Sequence, residues 1–266
     1  MRLLSTAIAL GAAALLGACA APGGTPARAP GTEFRTASDQ TDADRRAAVR
    51  MELAALHYGR GQYDTALDEI KLALQAKPDL GAAFSLRGLV YASMGEDALA
   101  EDSFARALQI NPRDADAMHN RGWFLCQHNK FAEADRLFEQ ALAQPQYREP
   151  QRTYLTQGVC HARAGRLDEA ERKLSRAFEL DASNPTTALN LAEVLYRRGE
   201  YERARFYIRR VNQREDLSNA ATLWLALRVE NRLGNRGGVD DYGRQLRNRF
   251  PQAPETLAYE RGRFDE

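Results

Sequence analysis

Small and apolar residues recur along this chain at helical spacing, and the whole pattern returns about every thirty-four residues. The clearest unit runs from Gly81 to Asp114. Phe84, Gly88 and Tyr91 form one apolar stripe, Gly95 interrupts, Ala100, Phe104 and Ala107 form a second stripe, and Pro112 closes the unit. Spacings of three and four predict two amphipathic helices. Gly88 and Ala100 mark where these helices cross, because small side chains let two backbones approach, and the rings fill the volume on either side. Gly95 predicts the end of the first helix, since glycine turns left-handed without Cβ strain. Pro112 cannot continue the second helix. A single hairpin of this kind buries too little apolar surface to stand alone, so neighbours are required.

The neighbours are present. With Gly81 as position 1, equivalent residues place repeats at 47–80, 81–114, 115–150, 151–184, 185–218 and 219–252. The third has a longer exit, Gln144 to Pro150, by about two residues, and insertions of this kind fall in loops that can join a contact surface. The sixth fits two registers one residue apart, one of them with Ala226 at position 8, Gly238 at 20 and Tyr242 at 24. A short capping helix is expected around Glu255–Arg261 in the tail 253–266. The repeat resembles the tetratricopeptide repeat. That resemblance implies an all-α solenoid of about six helix-turn-helix units in a right-handed superhelix, with a concave face lined by the first helix of each pair.

Positions 2, 5, 6, 9, 12 and 13 of each first helix are expected to face that groove. They supply Met51, Ala55 and Tyr58, then Ser85, Leu89 and Ala92, then His119, Asn120, Trp123 and Cys126. Leu155, Val159 and Arg163 follow, with Leu189, Glu193, Tyr196 and Trp224 beyond them. The partner-binding set is Met51, Ala55, Ser85, Leu89, His119, Asn120, Trp123, Leu155 and Val159. An apolar, aromatic centre suits an amphipathic helix or an extended peptide held by a few large side chains. Trp123 is either its central anchor or a seal between repeats.

The first nineteen residues change the picture of where the protein works. Arg2, an apolar run from Leu3 to Ala18, and Cys19 read as a secretory signal rather than a membrane span. Leu16-Gly17-Ala18-Cys19 resembles a bacterial lipobox, which implies a signal peptide over 1–18, cleavage before Cys19 and covalent lipid on it. Ala20 follows where an Asp would retain a lipoprotein in the inner membrane, so resemblance implies the periplasmic face of the outer membrane. Residues 19–42, rich in Pro, Gly, Ala, Ser and Thr, read as a flexible tether, with the solenoid over 43–252.

Composition mainly excludes. The 266 residues carry a formal charge of +1. Lysine occurs only at 71, 77, 130 and 173, but the abundant arginines are interspersed with 36 acidic residues, so nucleic acid is not an expected partner. His57, His119, His128 and His161 lie on different helical faces, and Cys126-Gln127-His128 lacks the further ligands of a zinc site. His57 and His161 occupy position 11, a core site, and read as packing residues. Without a nucleophile setting or a phosphate-binding loop, no enzyme, cofactor, metal or small-molecule substrate is expected. Cys126 and Cys160, at positions 12 and 10 of successive repeats, are either a disulfide or two buried thiols.

Two stretches narrow the resemblance. His119-Asn120-Arg121-Gly122-Trp123-Phe124-Leu125-Cys126 with Pro145-Gln146-Tyr147 and Gln157-Gly158-Val159-Cys160, and Tyr242-Gly243-Arg244-Gln245-Leu246 before Phe250-Pro251, are similar to type IV pilus biogenesis lipoproteins of the PilF/PilW kind. That family usually has Asn-Asn-Tyr-Gly where this chain has His119-Asn120-Arg121-Gly122. The resemblance implies a pilotin that helps pilus secretin subunits reach the outer membrane and multimerise there. A different class, a periplasmic scaffold for cell-wall hydrolases or barrel assembly, shares the same repeats and anchor.

Overall fold

The computed structural model describes residues 41–264; the expected signal, the Cys19 lipidation site and nearly all of the tether lie outside them. Thirteen helices make up the described residues: α1 Asp42–Gly59, α2 Tyr63–Ala76, α3 Gly81–Met94, α4 Asp97–Ile110, α5 Ala115–Gln127, α6 Phe131–Leu142, α7 Pro150–Arg163, α8 Leu167–Leu180, α9 Pro185–Arg197, α10 Tyr201–Asn212, α11 Ala220–Arg232, α12 Arg236–Arg249 and α13 Pro254–Glu260. They pair in order as six antiparallel hairpins. Each odd-numbered helix through α11 also packs on the odd-numbered helix of the next repeat, and α13 closes the end against α11 and α12. This is the all-α tetratricopeptide solenoid.

The crossing points follow the small residues. A Cβ added at Gly88 would lie 2.7 Å from the Phe104 ring, and one at Gly122 would lie 2.8 Å from the Phe138 ring. Phe104 and Phe138 are wholly buried, so the ring of the second helix occupies the volume that the missing side chain leaves. Gly61, Gly95, Gly165, Gly199 and Gly234 all have positive φ just beyond a first helix, and Asn129 takes their place in the third repeat at φ 59°. Asparagine is among the few side chains that tolerate this conformation.

The start of the solenoid differs from the sequence reading. Residues 41 and 42, assigned to the tether, are the cap and first residue of α1. Thr41 accepts a hydrogen bond from the Asp44 backbone, the Asp44 side chain accepts one from Thr41, and Lys77 Nζ lies 2.7 Å from Asp44 Oδ1. This capping box, with its tie to the far end of α2, lets the helix begin five residues before the repeat template does. The left-handed residues also decide the sixth register. Gly234 corresponds to Gly199 only if Ala220 is position 1, which puts Leu227 at 8, Val239 at 20 and Gly243 at 24.

The joint between repeats three and four is fastened twice. Cys126 and Cys160 form a disulfide with Cα atoms 5.9 Å apart. Seven residues earlier on each helix, His119 Nδ1 meets Thr153 Oγ1 at 2.8 Å. Both pairs are 34 residues apart in sequence, although the repeat is about two residues longer here. Residues that differ by two template positions therefore face each other across α5 and α7.

Candidate partner-binding groove

The first helices present a shared face, and contacts between residues about one repeat apart run along it. The Tyr58 hydroxyl lies 3.3 Å from Ser93 Oγ, Asn120 Nδ2 donates to Ser85 Oγ at 3.1 Å, and Arg152 Nη2 donates to Asn120 Oδ1 at 3.1 Å. Arg197 Nη1 continues the series by donating to the Ala162 carbonyl at 3.2 Å. On α1, α3 and α5, Tyr58, Leu89, Ala92, Ser93, Asn120, Trp123, Phe124 and Gln127 line a depression of about 130 Å³.

Of the residues that the sequence places on the groove face, the structure brings Tyr58, Leu89, Ala92, Asn120 and Trp123 together in this depression. Trp123 is half-buried and packs with Leu89 and Ala92 against the core around Phe104, Phe124 and Phe138. Ala55 is exposed, and Met51, Leu155 and Val159 are half-buried elsewhere along the first helices. Two members do not belong to a partner surface. Ser85 and His119 are 5% and 4% exposed. Both occupy position 5, which turns into the seam with the next first helix: Ser85 accepts from Asn120, and His119 is held by Thr153 beneath the Phe138 ring. Cys126 is consumed by the disulfide, and Tyr196 is buried under the Arg228 guanidinium, 4.6 Å from its ring centre. Trp224 is covered by the chain itself, stacked on Phe264 of the tail.

Ser93, Phe124 and Gln127 line the depression and are missing from the sequence-derived set. Position 13 carried the signal for Ser93 and Gln127. Phe124, at position 10, gave none.

Polarity changes along the face. Position 9 reads Ala55, Leu89, Trp123 and Val159, and then Glu193 and Arg228; position 13 passes from Ser93 and Gln127 to Arg163, Arg197 and Arg232. The apolar part therefore belongs to the first four repeats. At its seam, burial pushes the pKa of His119 down to about 3, with the nearby Arg152 charge acting in the same direction. His119 is thus neutral at physiological pH. Burial also lowers the His161 pKa, against the pull of Asp135, whose Oδ1 lies 3.1 Å from the ring. His57 is half-exposed and bonded to Gln62 Oε1 at 2.7 Å, so it is a hairpin-end contact rather than a core residue.

Comparison with known proteins agrees with this architecture. Tetratricopeptide-repeat profiles match residues 51–115, 103–136 and 161–225, together more than half of the chain. The chain belongs to the tetratricopeptide-repeat family. It is 27% identical over 219 residues to the type IV pilus assembly protein PilF of Pseudomonas aeruginosa, spanning 82% of this chain and 86% of that protein. The crystal structure of PilW, described as a widely conserved type IV pilus biogenesis factor, superposes with a TM-score of 0.73 and 30% identity over 80% of this chain and 97% of that one. A Pseudomonas aeruginosa PilF structure, with a TM-score of 0.71 and 24% identity, covers 84% and 100% and supports the fold. This tetratricopeptide protein is homologous to PilF and PilW, and its fold is that of a protein-interaction scaffold. None of the helices among the described residues is long and apolar enough to cross a membrane.

Proposed function

We propose that this protein is a lipid-anchored pilotin of type IV pilus biogenesis: held by Cys19 at the periplasmic face of the outer membrane, it binds secretin subunits and promotes their multimerisation. The observation that carries the reading is the similarity to PilF and PilW across most of the described chain rather than over one repeat. The apolar surface around Leu89 and Trp123 supports it, as it suits an amphipathic segment of a subunit. A lipid anchor and a slack tether would concentrate such a subunit at the membrane by raising its effective concentration.

The test separates anchor from groove in the native host. Deleting the gene is expected to leave secretin as mislocalised monomers. Cys19→Ser is expected to abolish lipid labelling and move the protein out of the outer-membrane fraction. Trp123→Ala should leave the protein anchored and folded but lower co-purification of secretin. Heat-resistant secretin multimers at normal level in the outer membrane of the deletion strain would overturn the proposal.

A further inference from the structure

A cavity of about 550 Å³ lies at the edge of the solenoid, where α5 and α7 begin. One wall is the turn bearing Arg113, Ala115 and Asp116, and the other is the loop 144–149 that lengthens the third repeat. None of these residues lines the Trp123 depression.

The loop is held from beneath. The Tyr147 hydroxyl lies 2.5 Å from Thr153 Oγ1, which also meets His119 Nδ1, and both Thr153 and His119 are buried. Pro145 and Pro150 restrict the backbone at the loop's two ends. A loop anchored this way keeps its shape before anything binds, and that lowers the ordering entropy that binding must overcome.

The charges facing the cavity are not equally committed. Arg152 lies 3.5 Å from Asp116 Oδ1 and 3.6 Å from Glu149 Oε2, so both carboxylates share a cation. Arg113 and Arg148 are exposed, come from opposite walls, and have no carboxylate partner among the described residues. Counting Arg152 beside the lining, three guanidiniums stand against the carboxylates of Asp116 and Glu149, and the two that have no carboxylate partner, one on each wall, are forks that match carboxylates geometrically.

We infer that this cavity binds an acidic stretch of a partner polypeptide. Arg113 and Arg148 grip its carboxylates, and Pro145 and Tyr147 support its side-chain stems. The inference needs neither a secretin partner nor occupancy of the Trp123 groove, so either can fail without the other.

The test is fluorescence anisotropy of a labelled, end-capped hexaglutamate peptide titrated with the purified full-length protein. Saturable binding is expected, weakening as salt is raised and absent for the corresponding hexaglutamine peptide. Arg113→Ala with Arg148→Ala should weaken binding by about tenfold or more, as expected for the loss of two charge-assisted contacts. Trp123→Ala should leave it unchanged. Either of two results overturns the inference: no saturable binding of hexaglutamate, or an equal loss in a protein carrying Arg46→Ala and Arg136→Ala, two exposed arginines away from the cavity.

Discussion

The middle of the solenoid and its C-terminal end solve the same packing problem in opposite directions. In repeats two and three the first helix carries glycine at position 8 and the second helix fills the gap with Phe104 or Phe138. In repeat six the sizes are exchanged: Leu227 sits on the first helix and Gly243 on the second. A Cβ at Gly243 would lie 2.1 Å from the Tyr259 ring, so α13 supplies the ring that the hairpin lacks. Phe264 then stacks on Trp224. Close packing requires the volume to be filled, but it does not dictate which segment fills it. Inside the array the next repeat covers a first helix and leaves its groove side open. At the end the chain's own tail covers it, so the surface of Trp224 is closed while that of Trp123 is open.

The two regions also differ in how they are fastened, by a covalent crosslink in the middle and by noncovalent contacts at the end, and variants can break that contrast. The largest effect is expected from replacing Cys126 and Cys160 with serine. Releasing a crosslink between residues 34 apart should lower stability by up to about 4 kcal/mol, read as the midpoint of urea denaturation. A reductant should reproduce this loss in the native chain and have no further effect on the variant. Gly122→Val comes next: overpacking against Phe138 should destabilise the middle by about 3 kcal/mol. The matching Gly243→Val should instead expel α13 and leave repeats one to five intact, which hydrogen exchange would resolve repeat by repeat. Uniform loss of protection in both variants would dissolve the comparison.

Tyr259→Ala removes a half-buried ring and should weaken only the last repeat, by about 2 kcal/mol. In a Trp123→Phe background the emission of Trp224 should shift to the red as water reaches it. The smallest effect is a pH response of the middle. The folded-state pKa of His119, about 3, lies below its ordinary 6.5, so its contribution is complete above pH 6.5 and is lost as pH falls toward 3. By linkage, pH 5.5 should remove about 1.4 kcal/mol from the joint between repeats three and four. The end of the array is expected to behave differently. Burial raises the pKa of Glu230, but bonds from Asn235 and Arg205 and the charges of Arg205 and Arg209 outweigh burial and lower it. Its contribution is present above 4.5 and is lost only below that value. Mild acid should therefore increase exchange across α5 and α7 before α11, and His119→Phe should reduce the difference, the remainder coming from His161, whose pKa burial also lowers on α7.

Much of the candidate groove was legible in sequence, because position 9 is solvent-facing in every repeat and its large apolar members, Leu89 and Trp123, stand out. Position 5 was not legible. Whether its side chain meets solvent or the next first helix depends on the stagger between repeats, which no local pattern encodes. That stagger buried Ser85 and His119 and left Met51 half-exposed. The same quantity brought Cys126 onto Cys160, since the longer loop 144–149 offset α7 against α5 by two template positions.

Sequence alone determined the helices, their number and, apart from the start of α1, their ends, because apolar periodicity, left-handed glycines and helix-stopping prolines act through the backbone within a few residues of themselves. In the first five repeats it also determined which side chains are small at the crossing points. The tertiary structure alone decided the register of the sixth repeat, the pairing of the two cysteines, and which part of the inner face stays open. Those outcomes depend on contacts between segments far apart along the chain, and a shift of a single residue in how two helices sit together exchanges one buried side chain for another.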